Sequence, residues 1–232
     1  GVEKMTKRIE LETRRFETAL SQIGRGDAAE AKAAARFLNR AANGNWTRPR
    51  KEWFTHPERI GSLLQALAHA DPEVAVEIIG ALGALSQRYG SLDPRIHDAL
   101  LVAFDGASDP VRIAVAQAIP QFGTPTAWQA VLAALEAKPP RAAQHTVGLA
   151  VARYGGSIPA PLKPVFAERL LHAAATQKNQ DVRSTLVMGI AVVGSRSNLS
   201  ALQSLLESAD SAPLREDILA ALESCGTSIP TT

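Results

Sequence analysis

The chain has 232 residues, of which 46% are hydrophobic and 21% charged, a balance that supports a folded core and excludes an intrinsically disordered chain. Aromatics make up 5%, and alanine and leucine dominate the apolar set, which favours helix over strand. The net charge of +2 is uneven: residues 1–60 hold 13 Lys and Arg against 8 Asp and Glu, residues 61–232 hold 12 against 15, and neither part has the dense cationic stripe of a dedicated nucleic-acid binder.

Residues 3–22 read as a charged helix, with Met5, Ile9, Phe16, Leu20 and Ile23 at helical spacing. Gly24 and Gly26 end it. Asp27 is placed to cap a second helix over 28 to about 42, closed by Asn43-Gly44. Residues 44–57 then read as an irregular basic and aromatic loop. Beyond it the pattern is regular. Helices are expected from Asp71-Pro72 to about 88, from Asp109-Pro110 to 122, from Pro139-Pro140 to 154, from 179–181 to 193 and from 211–213 to 224. An acceptor side chain or a proline at the start is the chemistry a helix needs there, because its first backbone N–H groups lack intrahelical partners. A partner helix precedes each, over roughly 58–69, 94–105, 125–137, 160–176 and 197–208.

The copies align on a closing glycine. Gly123, Gly155, Gly194 and Gly226 each lie 12 residues after Val111, Ala143, Val182 and Leu214, and Val74 fills the same slot with Ser86 in place of glycine. Successive slots are 37, 32, 39 and 32 residues apart. Such self-similarity marks a solenoid, in which a helix pair too thin to bury its own apolar face is completed by its neighbours.

Asp109-Pro110-Val111-Arg112, followed by the apolar run over 113–119 and by Gly123, resembles the second helix of a HEAT repeat. Asp181-Val182-Arg183 with Leu186, Ile190 and Gly194 repeats it, as does Leu214-Arg215 with Ile218, Leu222 and Gly226. Asp71-Pro72-Glu73-Val74 is a partial copy, with Ala75 where arginine is expected, and Ala143-Gln144 is weaker still. The period is shorter than the usual HEAT spacing of about 40–47 residues and closer to the short HEAT-like repeats of bacterial proteins. Gly123-Thr124-Pro125 is similar to an ankyrin repeat but occurs once, and the tetratricopeptide pattern is absent. The resemblance implies an all-α protein, a right-handed α-α superhelix of HEAT-like or armadillo type with about five to six antiparallel helix pairs. Its expected organisation is an N-terminal helix pair plus basic loop over 1–56, repeats over 57–90, 94–123, 125–155, 160–194 and 197–226, and a tail over 227–232.

Two sets of side chains stand out. Trp46, Arg48, Arg50, Lys51 and Trp53 mix cations with flat rings in the 44–57 segment, a combination suited to anchoring a partner protein or stacking on bases. The competing expectation is that Trp53 and Phe54 cap the apolar end of the first regular repeat and leave Trp46 exposed. Arg50→Ala is then expected to leave stability nearly unchanged. The second set is the repeat ladder of Arg112, Gln144, Arg183 and Arg215, with Asp109 and Asp181. The resemblance implies that such arginines and the preceding aspartates hydrogen-bond between neighbouring repeats, so the ladder is assigned a structural role. Leu186 is placed in the core.

The five histidines are far apart and no His-Glu-x-x-His occurs, so no metal ligand is assigned. The single Cys225 rules out an internal disulfide and a multi-cysteine metal site and suits a reducing, cytoplasmic setting. Gly-x-Ser-x-Gly, Walker, dinucleotide-glycine and kinase motifs are all absent. No catalytic residue and no cofactor are therefore assigned, and a non-catalytic role is preferred to an enzymatic one. No apolar run nears the roughly 18 residues of a membrane span, and no signal peptide is visible. The chain opens Gly-Val-Glu without an initiator methionine, so Gly1 reads as a tag remnant with sequence missing upstream. The expected function is a monomeric scaffold that binds another protein through its concave face and the 44–57 segment. The alternatives are a DNA-binding or DNA glycosylase-like HEAT protein, a phycobilin lyase-like protein, and an immunity or regulatory partner.

Overall fold

The computed structural model describes residues 1–227, and all regular structure among them is helical. The chain divides into two compact units, 1–121 and 122–232. The tail assigned to 227–232 lies outside the described residues, except that Thr227 ends the last helix.

The first unit contains α1 (Val2–Arg25), α2 (Ala28–Asn43), α3 (Arg48–Thr55), α4 (Pro57–Ala68), α5 (Pro72–Arg88), α6 (Pro94–Phe104) and α7 (Asp109–Ala118). Short connections fold α1 back on α2, α4 on α5 and α6 on α7. The second helices then stack in a row, α2 against α5 and α5 against α7, with α4 against α6 in the row of first helices. The second unit contains α8 (Pro125–Ala134), α9 (Pro140–Tyr154), α10 (Lys163–Thr176), α11 (Gln180–Val193), α12 (Leu199–Glu207) and α13 (Ala212–Thr227). It repeats the plan: α8 pairs with α9, α10 with α11 and α12 with α13, while α9, α11 and α13 form the second-helix row.

The helix starts follow from capping chemistry. Asp27 accepts from the Glu30 N–H at 2.8 Å, Asp93 from Arg95 at 2.9 Å, Thr124 from Ala127 at 3.1 Å and Asn179 from Val182 at 3.0 Å, each satisfying a first-turn donor. Prolines sit in the first turn of α3, α4, α5, α6, α7, α8, α9 and α10, where a missing N–H breaks no helical bond. Several ends differ from the sequence expectation, among them that of α8, expected to reach 137 but ending at Ala134, and the start of α12, expected from 197 but preceded by a 3₁₀ turn, Arg196–Asn198. The helix expected to reach 122 stops at Ala118, and a 3₁₀ turn, Pro120–Phe122, follows, because Pro120 cannot donate to the helical ladder. The helix expected from 160 begins as a 3₁₀ turn, Ala160–Leu162, before α10.

Close approach within the second-helix rows depends on small residues. A Cβ added at Gly148 would lie 3.0 Å from the backbone of Thr185 on α11, and one at Gly83 would lie 3.0 Å from the Ala118 Cβ on α7. The core between the rows is aliphatic, with Leu63, Ile78, Leu82 and Leu85 buried in the first unit and Val147, Leu170, Leu186 and Ile218 in the second. Full burial of such a side chain is worth about 1.5–3 kcal/mol.

Candidate partner-binding face

The expected 44–57 loop contains a helix. Thr47 caps α3 by accepting from the Arg50 N–H at 3.4 Å, Pro49 occupies the first turn and Arg48 pairs with Glu52 one turn on at 2.8 Å. Eight residues form no stable helix alone. Burial of Trp53 and Phe54 supplies the missing stability: both rings pack on Phe16, with centroids 5.0 and 5.3 Å away, and on each other edge to face at 4.9 Å. Trp53 Nε1 donates to Glu17 Oε1 at 3.0 Å, and Arg59 Nε donates to the same oxygen at 2.7 Å.

Two of the five residues expected to bind a partner are thus engaged within the fold. Trp53 is sequestered in the aromatic cluster. Arg50 is turned inward, donating to Glu12 at 2.6 Å and to the carbonyls of Ala41 and Asn45 at 3.3 and 3.2 Å, so it is no neutral surface cation. Trp46, Arg48 and Lys51 remain exposed. Trp46 is 54% exposed, one face stacked on Tyr89 at 6.2 Å, with the Lys51 ammonium 5.5 Å from its centroid. Tyr89 itself is buried, its hydroxyl donates to the Ala42 carbonyl at 3.3 Å, and desolvation raises its pKa above 10. The Trp46 ring is thereby held on a rigid base.

Two of the four ladder side chains, Arg183 and Arg215, reach backbone carbonyls. Arg183 is buried and donates from Nε to the Ala174 carbonyl on α10 and from Nη2 to Ser208 Oγ beyond α12, both at 3.1 Å. Arg215 reaches the Leu206 carbonyl, also nine residues earlier, at 3.4 Å. The Ala174 and Leu206 carbonyls belong to the last turn of the preceding helix, where carbonyls lack intrahelical donors and the dipole favours a cation. Gln144 in the same slot accepts from Gln177 Nε2 at 2.6 Å. Arg112 lies over the Phe104 ring at 5.0 Å, a cation–π contact, and its buried Nε has no hydrogen-bond partner among the described residues. The guanidinium of Arg183 is thus satisfied by oxygens other than the carboxylate of Asp181, which lies exposed, and Asp109 opens α7 in its first turn.

Sequence reasoning missed a cleft of about 320 Å³ in the first unit, on the uncovered face of α2, α5 and α7. It is lined by small and aliphatic residues, among them Val76, Ile79, Ala84 and Ala114, and by the carboxamides of Asn39, Asn43, Gln87 and Gln117 with the guanidinium of Arg40; the Asn39 carboxamide sits against Gly80. The amides are oriented by neighbours: Asn39 donates to Glu77 at 2.8 Å, Asn43 to Asn39 Oδ1 at 2.8 Å and Gln87 to the Gln117 carbonyl at 2.9 Å. Arg88 donates to the Asn43 carbonyl, tying the C-terminal ends of α5 and α2 together. No group of three His, Cys, Asp or Glu among the described residues is arranged to hold a metal ion, and none of their helices is long and apolar enough to cross a membrane.

Comparison with known proteins agrees with this architecture. The HEAT repeats family matches residues 60–157. A designed armadillo repeat protein superposes with a TM-score of 0.66 at 16% identity, covering 90% of this chain and 99% of its own. An engineered protein gives 0.69 at 19% identity, covering 92% and 99%. Another designed armadillo repeat protein, solved in complex with the peptide (KR)4, gives 0.66 at 16% identity over 90% and 98%. At these identities the likeness is one of fold. None of the curated proteins matches the chain in sequence.

Proposed function

We propose that this chain, a helical-repeat protein of the HEAT/armadillo type, is a non-catalytic scaffold that holds an extended segment of a partner protein on the second-helix face of its first unit. The observation that carries the proposal is a cleft in which four carboxamides stand beside small and aliphatic residues. A carboxamide offers both donors and an acceptor, the same complement as a peptide group, and a backbone lying in such a cleft must have its N–H and C=O groups met.

Trp46 extends the surface. It stacks on Tyr89, which directly follows α5, and Tyr89 hydrogen-bonds the C-terminal end of α2. An exposed tryptophan on a rigid base, flanked by Lys51 and Arg48, is the type of residue that dominates binding energy in protein interfaces. A protein segment fits this face better than a nucleic acid, because the carboxamides match peptide groups and the face lacks a run of phosphate-neutralising cations. The complex of a designed armadillo repeat protein of similar fold with the peptide (KR)4 supports the choice of a peptide as the class of ligand.

Selection from a random peptide display library tests the reading. Gln117 is exposed, and Gln117→Trp is designed to fill the cleft without touching the core. Peptides enriched on the native chain are expected to lose binding to this variant while its melting temperature stays unchanged. Enriched peptides that bind both proteins equally, or no enrichment at all, would overturn the proposal.

A further inference from the structure

A second cleft, of about 270 Å³, opens between α1 and α2 and is lined by Glu12, Arg15, Phe16, Phe37, Arg40, Ala41 and Arg50. Three guanidiniums meet there with one carboxylate, and that carboxylate is already engaged, since Glu12 accepts from Arg50 at 2.6 Å. Arg15 and Arg40 are exposed and have neither an ion pair nor a hydrogen bond among the described residues. The cleft therefore carries two uncompensated positive charges beside low-dielectric walls, Phe16 and the partly exposed Phe37, an arrangement that focuses the field on the space between them.

Arg40 lines this cleft and the carboxamide groove alike. We propose that the α1–α2 cleft receives a carboxylate side chain of the bound segment, so that the partner is an acidic peptide whose Asp or Glu passes Arg40 to reach Arg15. This rests on the reading of the groove as a peptide site and adds the partner's charge. The chemistry suits guanidinium, which pairs with carboxylates through parallel N–H donors, while Arg50, held by Glu12 and two carbonyls, neutralises the cleft's one carboxylate. Phe37 supplies an apolar wall for the methylene groups of a glutamate.

The test uses the whole chain and a fluorescein-labelled oligoglutamate, with oligolysine and a Gly-Ser peptide as controls, followed by anisotropy. Oligoglutamate is expected to bind and the controls not to. Affinity should fall between roughly 0.01 M and 0.15 M salt, as the screening length drops from about 30 to about 8 Å. Arg15→Gln with Arg40→Gln should weaken binding by about fivefold to tenfold, the effect of losing two partly screened ion pairs. Arg141→Gln with Lys178→Gln, which removes the same charge from exposed positions of the second unit, should leave it unchanged. Equal loss in both double variants, absence of oligoglutamate binding, or preference for oligolysine would overturn the proposal. The two readings separate cleanly. Library peptides blocked by Gln117→Trp but indifferent to Arg15 and Arg40 keep the groove and overturn the acidic partner. Oligoglutamate binding that depends on the arginines, without any library enrichment, keeps the carboxylate cleft and overturns the groove.

Discussion

Nε of Arg50 lies 2.6 Å from Oε1 of Glu12, joining the short helix α3 to the middle of α1. The two side chains are 23% and 30% exposed, and Arg50 also donates to two carbonyls. Arg50→Ala should therefore destabilise the chain by about 1–3 kcal/mol, the cost of leaving a covered partner unsatisfied, where an ordinary surface change stays within about 0.5 kcal/mol. Denaturant unfolding checks this. Combined with Glu12→Ala, the effect should fall short of the sum, since both variants break one contact. Strict additivity would show that the pair contributes nothing.

The ladder residues should differ among themselves although they share a repeat position. Arg183 is buried with two oxygen partners, whereas Arg215 is exposed with one at 3.4 Å. Arg183→Ala should cost about 2–4 kcal/mol, combining lost charged hydrogen bonds with a cavity. Arg215→Ala should cost under about 1 kcal/mol. Matched losses in thermal unfolding would mean that slot, not burial, sets the contribution.

The elements most legible in the sequence were those with punctuation. Asp71-Pro72, Pro139-Pro140 and Asn179 gave helix starts within a residue of those observed, because caps and first-turn prolines act locally. Helix α3 carried the same signals, Thr47, Pro49 and the Arg48–Glu52 spacing, but its apolar pair, Trp53 and Phe54, is adjacent and shows no helical stripe. The groove was illegible for a different reason. Asn39 and Asn43 lie on α2, Gln87 on α5 and Gln117 on α7, with Gln87 13 residues and Gln117 six residues past their repeat slots. Only the stacking of three helices brings them to one face. The arginine slot is legible in the sequence, but the carbonyl partners of Arg183 and Arg215 are not, because a backbone carbonyl has no sequence signature.

Gly148 tests how closely the second helices must approach. An added Cβ would meet the Thr185 carbonyl carbon, carbonyl oxygen and Cγ2, all at 3.0 Å, and two of the three are backbone atoms. Gly148→Ala gains roughly 0.8–1 kcal/mol of helix propensity, yet overpacking typically costs about 1–3 kcal/mol. The net expectation is a lower melting temperature. A higher one would mean that α11 shifts freely away from α9.

Tyr89 makes stability sensitive to alkali. Desolvation raises its folded-state pKa above 10, so the unfolded chain loses the phenolic proton first. The associated stability is fully present below about pH 10, the unfolded value, and is lost as pH rises through the folded pKa. Tyr89→Phe should remove that part of the alkaline decline, at the expense of the hydrogen bond to the Ala42 carbonyl. Unfolding midpoints of the two proteins should therefore converge as pH increases above 10. Parallel curves would show that Tyr89 titrates alike in both states.

Leu186 and Met188 lie two residues apart on α11, but one is fully buried and the other 45% exposed. A separation of two residues turns the helix by about 200°, since 3.6 residues complete a turn, so the two side chains face opposite sides. Leu186→Asp would place a carboxylate in the core, where an unpaired charge is prohibitively costly, and should abolish cooperative folding. Met188→Asp replaces an exposed side chain and should shift stability by no more than about 0.5 kcal/mol. Circular dichroism melts of both variants decide the matter. A folded Leu186→Asp protein, or an unfolded Met188→Asp one, would reverse the assignment of core and open face on α11.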